Sequence, residues 1–248
     1  MKIACSSASF SRAFAAGTLT QLEWLDICAN ELEVDGVVFD ARNFPREDAD
    51  YIAQLKKVSA DLGLTVSALE IGQAHDTDRF LETAVALGAP LLLIHAPSSS
   101  DESTAWSDFG AAVKTTAGHA KRVNVTLALR TFTGTLCESA ADCKRLAKDV
   151  DSAWLRFATA PDVSRAPEES ASLLAKSVIA SHSISDIDRF ATASDSSAAA
   201  LVASLARFRG FVVLEHDLTR ADPGAYHRAL TRFATLRAET LAPPQRMP

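Results

Sequence analysis

Eight short apolar runs, each followed by a longer segment with helical spacing, predict one α/β domain over residues 1–248 built as a closed (β/α)8 TIM barrel. Three observations carry this: the number of runs, their nearly unbroken hydrophobicity, and the lack of a glycine-rich phosphate loop after the first. Barrels of this kind ordinarily take about 250 residues, and the chain has 248.

The predicted strands are residues 3–5, 36–40, 65–69, 91–95, 125–129, 155–159, 177–182 and 211–215. Runs such as Leu91-Leu92-Leu93-Ile94 and Phe211-Val212-Val213-Leu214 lack the polar alternation of a half-exposed strand, as expected where both faces are covered. An open doubly wound sheet would share that property. No G-x-G-x-x-G follows the first strand, however, and eight units of roughly 30 residues close most simply as a barrel.

Between the strands, Leu22, Leu25, Ile27 and Cys28, and then Tyr51, Ile52, Leu55, Val58 and Leu62, set apolar residues on one helical face. Thr20 and the Asp222-Pro223 pair read as helix starts, and Gly63 and Gly88 as positions just past helix ends. Residues 98–101 read as a loop, 192–200 as a loop entering a helix, and the chain after Leu241 as a frayed end.

Composition excludes several classes. Hydrophobic residues are 48% of the chain and charged ones 23%, which supplies a large core and argues against disorder. A formal net charge of -6 offers no basic surface for a phosphate backbone, so a small polar ligand is expected and nucleic acid is not. Cys5, Cys28, Cys137 and Cys143 have neither C-x-x-C spacing nor the density of a disulfide scaffold, and read as reduced thiols. The first residues lack the apolar run of a signal peptide, and no run approaches the roughly 20 residues that span a bilayer. The expectation is a cytoplasmic protein with no membrane partner.

Chemistry in such barrels gathers at the C-terminal ends of the strands. There the sequence sets Asp40 followed by Arg42, then Glu70, His95, Arg130, His182, and Glu215 followed by His216. Any one of these could be a solvated strand end or a structural ion pair. Together they predict a pocket in which Asp40, Arg42, Glu70, His95, Arg130 and His216 bind substrate. His119 and His227 fall on predicted helices away from this face, and the role of His75, in a loop, stays open. His182 and Glu215 offer an imidazole nitrogen and a carboxylate, donors that suit Mn, Mg, Co or Zn. Such an ion would polarise a sugar carbonyl while a carboxylate moves the proton. A plain His-Glu hydrogen bond is the alternative.

Several stretches in fixed order carry a family resemblance. They are Ile3-Ala4-Cys5-Ser6 with Ser9-Phe10-Ser11-Arg12-Ala13-Phe14, and residues 35–45, DGVVFDARNFP, against a family pattern of the type DGVELDDRHFP. Further on come Leu62-Gly63-Leu64-Thr65-Val66-Ser67-Ala68-Leu69, Ala86-Leu87-Gly88-Ala89-Pro90, Val125-Thr126-Leu127-Ala128-Leu129 and Gly210-Phe211-Val212-Val213-Leu214-Glu215. Over essentially the whole length the chain resembles the xylose-isomerase-like TIM-barrel superfamily of sugar isomerases, ketose 3-epimerases, inosose dehydratases and endonuclease IV type nucleases.

The resemblance implies a divalent metal held by Glu after strand five, Asp after strand six, His after strand seven and Glu after strand eight, with the first and last carboxylates moving the proton. Glu215 matches the strand-eight position, and His182 the second His of an H-x-H whose first is Ala180 here. Thr159-Ala160-Pro161-Asp162 resembles a T-x-P-D-x-x-N ending and would make Asp162 a ligand, although Arg165 replaces the Asn and a competing register puts Ala160 at the ligand position. At strand five, where the family has LALEN, the chain reads Leu127-Ala128-Leu129-Arg130-Thr131. A guanidinium neither loses its proton nor ligates a metal, so Arg130 is expected to pair with Glu215 or Asp162 and to suit a carboxylate or phosphate on the ligand.

Two readings follow. One is a sugar or sugar-acid isomerase or epimerase with an altered metal site, in which Glu215 and Arg130 are catalytic and His182, Glu215 and Asp162 hold the ion. The other is a non-catalytic, metal-free relative that binds a small polyol or anionic sugar. The cofactor is accordingly one divalent ion or none. A nuclease fits less well, since it needs several metals and a face for DNA. Members of such families often associate, and an exposed Trp106 or Phe109 is a candidate for a contact in a homo-oligomer.

Overall fold

A parallel strand covered on both faces leaves its backbone groups unsatisfied at any open edge, and closing the sheet removes every edge. The computed structural model describes residues 2–72, 77–98, 103–131, 134–159, 179–184, 190, 194–205, 208–215 and 223–241. Its strands are Lys2–Ser6 (β1), Gly36–Asp40 (β2), Thr65–Glu70 (β3), Leu91–His95 (β4), Thr126–Arg130 (β5), Leu155–Thr159 (β6), Ile179–Ile184 (β7) and Phe211–Leu214 (β8). They form a closed barrel in chain order, all parallel, with β1 paired to both β2 and β8. Each predicted strand falls on an observed one with ends shifted by at most two residues, the largest shift being at β7.

The helices are Ser11–Ala15 (α1), Gln21–Asp26 (α2), Ala49–Asp61 (α3), Thr77–Leu87 (α4), Ser103–Arg122 (α5), Ala140–Val150 (α6), Asp195–Leu205 (α7) and Pro223–Leu241 (α8), with a π turn at Ile27–Glu31 continuing α2. Local chemistry starts and stops them. At Thr20 the hydroxyl accepts from the Glu23 amide while the Glu23 carboxylate accepts from the Thr20 amide, a reciprocal capping box. Gly63 and Gly88, just past α3 and α4, take φ values of +74° and +76° that glycine adopts without strain. Pro223 opens α8, and Asp222 lies outside the described residues. So do 99–102 and 192–193, on which parts of the predicted loops fall, and the tail after Leu241. No helix among the described residues is long and apolar enough to cross a membrane.

The period of two along each strand sorts the apolar side chains into two cores. Ala4, Val38, Ala68, Leu93, Ala128, Ala158 and Val213 fill the barrel, four of the seven being alanine. Their neighbours in sequence, among them Cys5, Phe39, Leu69, Leu92, Leu127, Phe157 and Val212, join the larger core that includes Trp24, Leu55, Leu146 and Phe233 from the helices. All four cysteines are buried free thiols. His119 sits on α5 and bonds Asp78 of α4 at 2.5 Å, and His227 lies on α8, so both belong to the helical layer as expected.

Trp106 and Phe109 are less exposed than expected. Both are half-buried on α5 against the core, edge to face at 6.5 Å, and the Trp106 indole donates to Asp149 of α6 at 3.2 Å with the Arg145 guanidinium 4.2 Å from its ring centre. They join α5 to α6.

Gly36 shows how tightly the strands approach. A Cβ there would lie 2.5 Å from the backbone oxygen of Thr65 and 2.8 Å from the Phe211 ring. Gly36→Ala is therefore expected to lower the unfolding free energy by about 1–3 kcal/mol, seen as a lower urea midpoint at unchanged slope. A midpoint equal to the parent's would mean that β2 and β3 separate freely at this point.

Candidate functional site

The same period of two builds the mouth. Two residues beyond the barrel-filling Ala4, Val38, Ala68, Leu93, Ala128 and Val213 stand Ser6, Asp40, Glu70, His95, Arg130 and Glu215. Every one is polar. Asp40 is fully buried, and Glu70, Arg130 and Glu215 retain only 1%, 4% and 8% of their surface. Strand register aligns them, with Asp40 opposite Glu70 and His95 opposite Arg130.

Arg130 joins three strands. Its Nη1 donates to Glu70 Oε1 at 2.6 Å, and its Nη2 donates to Glu215 Oε2. Glu70 Oε1 also lies 2.6 Å from His95 Nε2, so a charged Glu70 accepts from the imidazole with its proton on Nε2. Oε2 of Glu70 has no hydrogen-bond partner among the described residues. Beside this chain, Asp40 grips Arg42: Nε lies 2.9 Å from Oδ1 and Nη2 lies 2.5 Å from Oδ2, while Oδ1 also accepts from the Arg42 amide at 3.0 Å. The side chain of Arg42 is 60% exposed, unlike that of Arg130 at 5%.

One guanidinium between two carboxylates splits their acidities. Burial favours the protonated form of Glu70, but the Arg130 charge and the bonds from His95 and Arg130 outweigh it and hold the pKa at about 2. For Glu215 burial prevails, reinforced by the Glu70 charge, so its carboxyl is pushed above the ordinary range in spite of Arg130. Burial opposes the charge of Arg130, yet its two carboxylates raise its pKa further.

Three supporting residues were not anticipated from sequence. Ser6 completes the polar layer on β1, and Ser7 Oγ accepts from the Asp40 amide at 2.7 Å. Tyr226 of α8 is buried and donates its hydroxyl to the carbonyl of Leu214, fixing the backbone immediately before Glu215. Ser6 was detectable two positions past Ala4. The other two act on backbone groups, which no residue pattern marks.

Of the predicted set, Asp40, Arg42, Glu70, His95, Arg130 and Glu215 are placed at the mouth. His182 lies within β7, its backbone opposite Thr159 and Val212, and its side chain is outside what the structure describes. Asp162 and His216 lie outside the described residues, as do His75, Ala160 and Arg165. Arg130 pairs with Glu215 as expected, but its second partner is Glu70. Each of its terminal nitrogens donates to a protein carboxylate.

No three His, Cys, Asp or Glu side chains among the described residues form a group able to hold a metal ion. Glu70 and Glu215 are bridged by a group that cannot ligate, so the described residues do not fit a divalent metal.

The low pKa of Glu70 has a thermodynamic consequence. Its contribution to stability is complete above the ordinary glutamate value of 4.5 and is lost as the pH falls from there through about 2. Glu215 has the opposite sign, since a raised carboxyl pKa costs stability as the pH rises through it. Glu70→Gln is expected to destabilise the fold by about 3 kcal/mol at neutral pH and to flatten the acid limb between pH 4.5 and 2. Urea midpoints across that range, compared with the parent's, provide the measurement; parallel acid limbs would contradict the assignment.

A profile described as "Xylose isomerase-like TIM barrel" matches residues 28–161, more than half of the chain. No curated protein matches the sequence. Among solved structures, the chain is similar to D-psicose 3-epimerase from Clostridium cellulolyticum H10, at 15% identity and a TM-score of 0.75 over 96% of this chain and 98% of that one. It is similar to 3-keto-D-glucoside 4-epimerase from E. coli at 17% and 0.74, over 96% and 99%. L-ribulose 3-epimerase gives 16% and 0.75, over 99% of both chains. At these identities the structural likeness establishes the fold, and together with the profile match it places this chain in the family of xylose isomerase-like TIM barrels.

Proposed function

We propose that the chain is a sugar or sugar-acid isomerase or epimerase with an altered site, in which Glu215 moves the proton and Arg130 stabilises the negative charge that develops on the substrate. The observation that carries this reading is the contact between Glu215 and the Arg130 guanidinium in a buried barrel mouth. Proton abstraction beside a carbonyl needs a base for the C–H proton and a positive group for the oxygen that takes up the electron pair. Glu215 has its pKa raised by burial toward the range in which a carboxylate is an effective base, whereas Glu70, held near 2, stays charged and fixes Arg130 in place. In isomerisation the proton returns to the neighbouring carbon while the hydroxyl proton of the carbon it left passes to the former carbonyl oxygen; in epimerisation Glu215 keeps the proton it removes, and water delivers another to the same carbon from the opposite face. No step is routed through a metal ion.

Arg42 fits a substrate-binding role better than Arg130 does. Its guanidinium is held along one edge by buried Asp40 and is otherwise exposed, so it suits the carboxylate of a sugar acid. His95, at the outer end of the Glu70 chain, is placed to bond a substrate hydroxyl. His216 remains a candidate for a further substrate contact, and His182 and Asp162 for the metal-ligand roles that the resemblance implies. The epimerase activities of structurally similar proteins support the choice of reaction, as properties of those proteins.

A non-catalytic sugar-binding pocket is the second reading, favoured by the engagement of Glu215 Oε2 with Arg130. The two separate in deuterated water. Incubation with ketopentoses, ketohexoses and uronates should introduce deuterium beside the carbonyl of the true substrate, with interconverted sugar visible by NMR. Glu215→Gln should reduce kcat by about 10²-fold or more. Saturable binding of a sugar without exchange at any carbon would sink the isomerase reading and leave the second.

A further inference from the structure

We infer that Tyr226 is the positioning residue of Glu215: its hydroxyl, by holding the Leu214 carbonyl, keeps the Glu215 carboxylate on the Arg130 guanidinium.

The linked side chains of the mouth are not equally supported. Glu70 stands opposite Asp40 and Leu93 in the sheet, and Arg130 stands opposite His95 and Ala158. The backbones of Glu70, His95 and Arg130 are thus fixed by strand pairing. Pairing of β8 ends one residue short of Glu215, with Leu214 opposite Cys5 on one side and Ile184 on the other. Among the described residues Glu215 has no strand partner, and it is the member of the chain proposed to move a proton.

A side chain past the end of a strand swings with the peptide that precedes it. That peptide is planar, so a bond to its oxygen fixes the plane from which Glu215 departs, and the oxygen is the one Tyr226 holds. The phenol comes from α8 rather than from the sheet. It is immobile in its own right, since Tyr226 is buried with its ring 6.2 Å from that of Phe10. A phenylalanine would fill the same apolar space, which leaves the hydroxyl as the part that acts on Glu215. A reacting group displaced by about 1 Å loses on the order of 10²-fold in rate. For that catalytic consequence the inference rests on the isomerase reading, whereas the hold on the contact between Glu215 and Arg130 does not.

The test uses the full chain with isotope-labelled arginine. The guanidinium protons of Arg130, identified by their loss in Arg130→Lys, report the contact through their exchange with water. Tyr226→Phe is compared with the parent and with Gly36→Ala, which loosens the fold at the opposite end of the barrel. Exchange is expected to be about tenfold faster or more in Tyr226→Phe and unchanged in Gly36→Ala. On a sugar that the parent turns over, Tyr226→Phe is expected to lower kcat by about tenfold or more with KM unchanged. Should Tyr226→Phe fail to fold, para-fluorophenylalanine at position 226, which fills the space of the hydroxyl and cannot donate, is read in its place. Unchanged Arg130 exchange in a folded variant would overturn the inference whatever the reaction, and so would an equal rise in Gly36→Ala. Faster exchange confined to the Tyr226 variant, in a chain that turns over no sugar, would support the positioning role and remove the isomerase reading alone.

Discussion

Two buried carboxylates held by one guanidinium set the terms for the rest of the barrel mouth. Removing one member of a buried charged pair typically costs about 3–5 kcal/mol, because the remaining charge is left without compensation in a low-dielectric site. Glu70, Arg130 and Glu215 stand on or just past strands three, five and eight, so the contact spans the barrel. Its neighbours depend on it in turn. His95 bonds the same Glu70 oxygen that Arg130 uses, and Tyr226 anchors the carbonyl immediately before Glu215. The two supports act on different atoms, and both restrict how far the ends of the chain of charges can move.

Much of this was legible in the sequence, for a reason peculiar to closed parallel barrels. Strands covered on both faces are continuously apolar, so their positions stand out, and Leu91–His95 and Leu155–Thr159 fall on their predicted bounds. The small residues Ala4, Ala68, Ala128 and Ala158 mark the faces turned inward, and stepping two residues from Ala4, Ala68 and Ala128 reaches Ser6, Glu70 and Arg130. The partners could not be read in this way. Arg130 meets Glu70 from two strands away because strand tilt and stagger determine which side chains meet across a mouth, and neither quantity is encoded in the order of the strands. The partial burial of Trp106 was not legible for a similar reason: how much of a large ring on a helix is covered depends on its neighbour, and here α6 supplies Asp149 and Arg145.

The two arginines of the mouth show how burial divides roles between identical side chains. Arg130 is enclosed and donates from both terminal nitrogens to protein carboxylates, so it sets the local charge and the acidities of Glu70 and Glu215. Arg42 is held along one edge by Asp40 and is otherwise exposed. Asp40 is fully buried and its amide is fixed by Ser7, which leaves the clamp little freedom. A cation oriented in advance loses less side-chain entropy on meeting an anion than a free one. In the proposed isomerase, Arg130 accordingly answers to the transition state and Arg42 to the substrate.

Replacing an ion with an arginine would change more than the source of positive charge. A metal is a Lewis acid that binds a carbonyl oxygen directly, and it can leave. A guanidinium stabilises an oxyanion only through hydrogen bonds, but it is part of the chain and is never lost to a chelator. The weaker electrophile places more of the work of enolisation on the base. A base buried beside a cation is caught between opposing demands, since the cation lowers its proton affinity and burial raises it. At Glu215 burial wins, and at Glu70, which also accepts a bond from His95, the cation wins. The single guanidinium thus leaves one carboxylate charged as its anchor and the other better able to take a proton, a division of labour that two equivalent carboxylates around a metal would not produce on their own.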